Sequence, residues 1–143
     1  MTNNTNNVCP LSAQESGGAG IEQASGGLIQ FYARYGGSYK VLKSSVTAST
    51  KRYYHVIATY DATSQTTRMY VDGVPVGTAD AAGDFGLPAN KAAQWVAIGG
   101  DAGSGANAQY ALNGEVVVAR MYGKTLNRDD AYWLYHDLKK KTE

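Results

Sequence analysis

The chain has 143 residues, enough for a single domain, with 17 glycines, 11 tyrosines and only 17% charged residues. That mix suits a turn-rich β-sandwich with aromatic strands better than a helical protein. The net charge is +1, residues 139–141 are the one basic tract, and no apolar run reaches membrane-spanning length, which argues against nucleic-acid binding and membrane insertion. Cys9 is the only cysteine, so it cannot close an internal disulfide, and cysteine usage leaves the redox compartment open.

Residues 1–7 are polar and read as a tail; the domain is expected over residues 8–143. The first twenty residues are low in hydrophobicity. Residues 8–16 hold only Val8, Cys9, Leu11 and Ala13 as apolar residues and contain Pro10, too little to stand in for two strands. Leu28–Tyr35 alternates, with Ile29, Phe31, Ala33 and Tyr35 on one face and Leu28, Gln30, Tyr32 and Arg34 on the other, as in a strand with one face on a core. Gly36 and Gly37 turn the chain into a strand over residues 39–43, and residues 44–51 read as a polar connection.

Residues 53–78 form the strongest pattern. A β-branched and aromatic limb, residues 53–60, meets a polar turn over residues 61–65. Thr66–Val71 follows, with Met69 and Val71 on one face and Arg68 and Tyr70 on the other. Asp72-Gly73 then signals a two-residue type I′ hairpin, because both residues accept positive φ. Residues 74–78 run back, and Pro75, lacking an N–H, requires that strand either to lie at an edge or to turn the Pro75 nitrogen away from the ladder.

Residues 80–93 and 101–108 read as loops around a short strand, residues 95–98. Residues 114–122 carry Val116, Val117 and Val118 in succession and read as a strand buried on both faces. A helix is expected over residues 128–139. Asn127 is its N-cap, Asp129 and Asp130 lie in the first turn, and Ala131, Leu134, Tyr135 and Leu138 form an apolar stripe.

Y-H-V-x-x-T-Y-D over residues 54–61, then R-x-Y-V-D-G-x-x-V over residues 68–76, resembles the laminin-G-like, concanavalin A-like jelly roll. Residues 112–138 resemble that family's closing strand and short helix. The resemblance implies an all-β, two-sheet antiparallel jelly-roll sandwich with one short C-terminal helix. The family's usual opening strands, F-D-G-x-x-D-x-V and F-T-I-x-x-W-V, have no counterpart here. The chain therefore reads as the C-terminal portion of a jelly roll that associates with another chain, through a homodimer or a separate N-terminal segment.

Hydrolases of this fold class need clustered carboxylates. Glu15, Glu22, Glu115 and Glu143 each stand apart from a partner acid at strand spacing, and Val117 and Val118 occupy the positions where the family often carries an acidic pair. No enzyme is expected. His55 and His136 read as structural residues, and two histidines with one cysteine make a zinc site a poor fit. The glycine-rich run from Gly99 to Gly105 lacks the Lys-Ser/Thr ending of a phosphate cradle. Laminin-G-like domains often bind calcium, so loop acids Asp80, Asp84 and Asp101 are candidate Ca2+ ligands. Tyr35, Tyr39, Trp95 and Tyr110 are the candidate ligand-binding residues, since pyranose rings pack on aromatic faces. Val96 and Ile98 facing a core would leave Trp95 exposed.

The function that follows is a non-catalytic recognition module of a larger secreted protein, binding carbohydrate, in an extracellular, cell-surface or periplasmic setting. The alternatives are an accessory domain packed against a secreted hydrolase and a protein-adhesion module. An exposed aromatic platform distinguishes the first; a large apolar patch distinguishes the accessory domain.

Overall fold

A computed structural model of the chain describes residues 8–13, 18–35, 38–49, 52–80, 96–102 and 108–142. Its strands are β1 (Val8–Ala13), β2 (Ala19–Gln23), β3 (Leu28–Tyr35), β4 (Ser38–Thr47), β5 (Val56–Asp61), β6 (Thr66–Val71), β7 (Val74–Asp80), β8 (Ala97–Ile98), β9 (Asp101–Ala102) and β10 (Ala108–Gln109), followed by helix α1 (Arg128–Thr142). Antiparallel pairing builds a five-stranded sheet in the order β4-β3-β2-β1-β8, a three-stranded sheet in the order β5-β6-β7, and a small β9–β10 pair. The expected antiparallel sandwich with one C-terminal helix is the observed fold.

The core follows the alternation in the sequence. Ile29, Phe31, Ala33 and Leu42 of the large sheet meet Met69 and Val71 of the small one. Tyr70 and Ile57 project from the opposite face of the small sheet, where Leu126 and Ala131 cover them and Leu134 packs alongside. The helix thus lies on the outside of the small sheet. Its first turn is closed reciprocally: the Asp130 N–H donates to Asn127 Oδ1 (2.9 Å) and the Asn127 N–H donates to Asp130 Oδ2 (3.0 Å). This is a capping box with Asp in the acidic position. Leu134 is half-buried, so Leu134→Ala is expected to cost about 1–2 kcal/mol, below the range for a fully buried leucine. A denaturation midpoint unchanged by this substitution would show that α1 does not depend on the sheet.

The Asp72-Gly73 turn forms as the sequence predicts, with φ of 53° and 76° and Val71 opposite Val74. Pro75 lies in the edge strand β7, beside a register shift. Several segments differ from expectation. Val8–Ala13 is an interior strand of the large sheet, because Pro10 falls in a register irregularity between Val8 and Leu11 and leaves the ladder intact on either side. Strand β4 continues to Thr47, where a polar connection was expected. Ser44 is buried there, and its hydroxyl donates to the Ile29 carbonyl (2.7 Å) where the β3–β4 ladder slips. Asp80 ends strand β7 and Asp101 begins β9, so neither is a loop residue. Val96 and Ile98 are exposed, at 54% and 60%, because the core side of β8 is uncovered. Residues 114–122 form no strand, and Val117 and Val118 are 53% and 44% exposed. Three consecutive valines favour burial in a sheet, but a strand exists only where a neighbouring backbone pairs with it.

Candidate functional site

The outer face of the large sheet concentrates the polar chemistry. Because Ile29, Phe31 and Ala33 point inward, Gln30, Tyr32 and Arg34 of β3 point outward. Register then sets Glu22 beside Gln30, Gly20 beside Tyr32, Lys43 beside Gln30, Val41 beside Tyr32 and Tyr39 beside Arg34. On β1, Ser12 lies opposite Gly20.

Tyr32 organises this face. Its ring lies across Gly20: a Cβ built there would be 2.6 Å from Tyr32 Cζ and closer still to its hydroxyl. The phenol reaches past β2 to within 3.8 Å of Cys9 Sγ and makes hydrogen-bond contact with Ser12. The Ser12 hydroxyl donates to Asp101 Oδ1 at 2.5 Å. Burial is the main reason the Tyr32 pKa is driven well above its usual range, with the neighbouring Cys9 adding to it, so the group acts as a neutral donor and acceptor. Burial likewise pushes the Cys9 thiol to about 11, with Asp101 and Glu22 adding in the same direction. Cys9 is therefore a neutral thiol near pH 7 and a poor nucleophile.

Beside this line, Gln30 Nε2 donates to Glu22 Oε2 (2.6 Å) while Gln30 Oε1, also buried, accepts no hydrogen bond. On the exposed side, Tyr39 meets Tyr32 edge-to-face at 6.3 Å, and the Arg34 guanidinium sits 5.9 Å from the Tyr39 ring centroid. Tyr39 is 46% exposed and Tyr110 48% exposed. The Tyr110 carbonyl accepts from the Cys9 N–H (2.9 Å), which ties it to the strand that carries Cys9 and Ser12.

The structure thus brings Tyr39 and Tyr110 to the margins of a network centred on Tyr32. Tyr35 is a β3 residue whose side chain lies outside the described residues, as do Trp95 and Asp84. Asp101 is 4% exposed and engaged by Ser12; Asp80 belongs to the other sheet, opposite Thr66. Among the described residues no three metal-ligating side chains converge. Arg34, Gln30 and Glu22 are functional candidates that the sequence reading missed. The hairpin implied by Gly36-Gly37 already places Arg34 across from Tyr39, and the alternation in β3 already puts Gln30 on the Tyr32 face.

The histidines lie elsewhere. His55 stacks on Tyr135 of α1 (6.1 Å, 23° between planes), its Nδ1 is buried without a hydrogen-bond partner, and its backbone N–H donates to Asp72 Oδ1 (2.9 Å). His136 packs on Tyr132 at 4.2 Å. Burial lowers the His55 pKa below 6.5; Asp72 opposes this and Arg120 adds to it. A depressed histidine stabilises the fold above the unfolded-state pKa and that stability is lost as pH falls through the folded one. Stability is therefore expected to fall as pH drops below about 6.5, and His55→Gln is expected to flatten that part of the curve. An unchanged slope between pH 7 and 5 in urea titrations would assign the effect to other groups.

Two antiparallel sheets packed face to face, with one C-terminal helix, define a jelly-roll β-sandwich. The chain belongs to the concanavalin A-like lectin/glucanase superfamily, whose laminin-G-type pattern matches residues 1–131. Among solved structures it is similar to the CBM40 module of the Ruminococcus gnavus IT-sialidase (TM-score 0.76, 16% identity, 94% of this chain and 77% of that one). The same module bound to α2,3-sialyllactose matches at TM-score 0.78 and 15% identity, with the same coverage of 94% and 77%. The heptameric SAP-like pentraxin of Limulus polyphemus matches at TM-score 0.67 and 18% identity, over 92% of this chain and 64% of that one. No curated protein sequence matches. No helix among the described residues is long and apolar enough to cross a membrane.

Proposed function

We propose that the chain is a non-catalytic carbohydrate-binding module of a secreted protein, and that glycan docks on the outer face of the large sheet against Tyr39. The observation that carries this reading is the exposed Tyr39 ring, buttressed by the Tyr32 edge and flanked by Arg34. A pyranose presents C–H groups to such a ring, and its hydroxyls and any carboxylate find the Arg34 guanidinium alongside. The likeness to a module solved with α2,3-sialyllactose supports testing acidic glycans first.

Isothermal titration with α2,3-sialyllactose and with lactose, in calcium and in EDTA, tests the proposal. Binding that weakens about tenfold in Tyr39→Ala is expected, the equivalent of about 1.4 kcal/mol. Affinity that disappears in EDTA would make a divalent cation part of the glycan site. Absence of binding across a glycan array, or an unchanged Tyr39→Ala affinity, would remove glycan recognition from this face. No glycosidase turnover is expected in any of these samples.

A further inference from the structure

Helix α1 carries a second aromatic surface, on the side of the sandwich opposite Tyr39. Ala131 and Leu134 pack toward the small sheet. Tyr132 and Trp133 lie outside that stripe and are 50% and 68% exposed. One exposed tryptophan is ordinary, but these rings are held in a continuous row. Trp133 meets Tyr132 edge-to-face at 5.8 Å, and Tyr132 packs on His136 at 4.2 Å. His136 meets Tyr135 at 5.1 Å, and Tyr135 stacks on His55 at 6.1 Å. The Tyr132 backbone also rests beside Gly73 of the β6–β7 turn. The row is anchored to the sandwich at one end and open to solvent at the other, so little ordering is needed when something binds.

Its size says what it can take. A whole aromatic side chain offers roughly 150–250 Å². The open parts of Tyr132 and Trp133, with the exposed Val74 of the adjoining turn, come to on the order of 300 Å². A specific protein partner covers about 800 Å² on each side; a surface this small suits one or two sugar rings.

Charge narrows the choice. Residues three and four apart on a helix are neighbours, which sets Asp129, Asp130, His136 and Asp137 around Trp133. Asp130 is engaged by the Asn127 N–H (3.0 Å) and Lys124 Nζ (3.4 Å). The exposed Lys140 lies two turns further on, about 10 Å along the axis. The immediate rim of the Trp133 ring is therefore acidic at both ends. Carboxylates accept hydrogen bonds from hydroxyls and repel anions.

We infer that Trp133 and Tyr132 form a second carbohydrate site, which takes a neutral pyranose stacked by its C–H face, with Asp129 accepting from its hydroxyls. The inference does not depend on binding at Tyr39, where the Arg34 guanidinium suits acidic sugars instead.

Nuclear magnetic resonance titration of the 143-residue chain carrying Tyr39→Ala tests this, with lactose, cellobiose, maltose and methyl β-glucoside as probes. A neutral sugar is expected to shift the Trp133 indole N–H resonance, which Trp133→Ala identifies by its loss. Trp133→Ala is also expected to weaken binding about tenfold or more and to leave the melting temperature unchanged, because the ring lies outside the core. Methyl β-glucuronide is expected to bind about threefold or more weakly than methyl β-glucoside at low salt, and Asp129→Asn to narrow that gap. Four results overturn the inference: no shift of the indole resonance with any of the neutral sugars, binding that survives Trp133→Ala, a glucuronide that binds as well as the glucoside, or a concentration-dependent dimer that buries Trp133.

Discussion

Gly73→Val is expected to destabilise the fold by about 2–4 kcal/mol, through two separable effects. The first is local. Gly73 has φ of 76° in the β6–β7 turn, and a β-branched residue there costs about 1 kcal/mol. The second is tertiary. A Cβ at Gly73 would lie 3.3 Å from Tyr132 Cα and 3.3 Å from Tyr135 Cδ1, so the side chain is driven into α1, and overpacking of this kind costs about 1–3 kcal/mol. Gly26→Val separates them: Gly26 has φ of 83° with nothing within 4 Å of its Cβ position, and its substitution is expected to cost about 1 kcal/mol. Guanidinium titrations of both variants give the difference directly. Equal losses would mean that the turn does not bear on the helix.

That turn is also where the sequence was most legible. Type I′ geometry depends on two adjacent residues, and Asp72-Gly73 states it locally. Asn127 and Asp130 state the helix start in the same way. Where structure depends on distant partners, local signals misled. Pro10 and the few apolar positions among residues 8–16 gave little sign of a strand there, yet a ladder irregularity absorbs Pro10 and Val8–Ala13 has neighbours on both sides. The valines at 116–118 argued for a buried strand, yet hydrophobicity reports a tendency to be covered and says nothing of whether a covering chain is present. The candidate site divides along the same line. Tyr39 and Tyr110 were found by residue type, and the pairing of Arg34 with Tyr39 follows from a turn the sequence announces. The reach of Tyr32 over Gly20 to Ser12 and Cys9 spans three strands, and no periodicity within one segment encodes it.

Gly20→Ala puts that reach to the test. The added methyl would meet Tyr32 Cζ at 2.6 Å and the Leu11 carbonyl oxygen at 2.9 Å. The carbonyl belongs to the β1–β2 ladder and cannot retreat without loss of pairing, so the tyrosine ring must lift. Lifting it separates the phenol from Ser12 and Cys9, which are buried and would be left with poorer hydrogen bonding. About 2–4 kcal/mol of stability is expected to go, from crowding together with lost polar satisfaction. Tyr32 is also the edge against which Tyr39 rests, so glycan affinity is expected to fall with stability, although Gly20 has no side chain to offer a ligand. The double variant Gly20→Ala/Tyr32→Leu removes the ring that clashes. It is expected to regain part of the stability without regaining affinity, because the buttress for Tyr39 is gone. Recovery of both would show that Tyr32 only fills space; recovery of neither would place the damage in the β1–β2 ladder, at the Leu11 carbonyl.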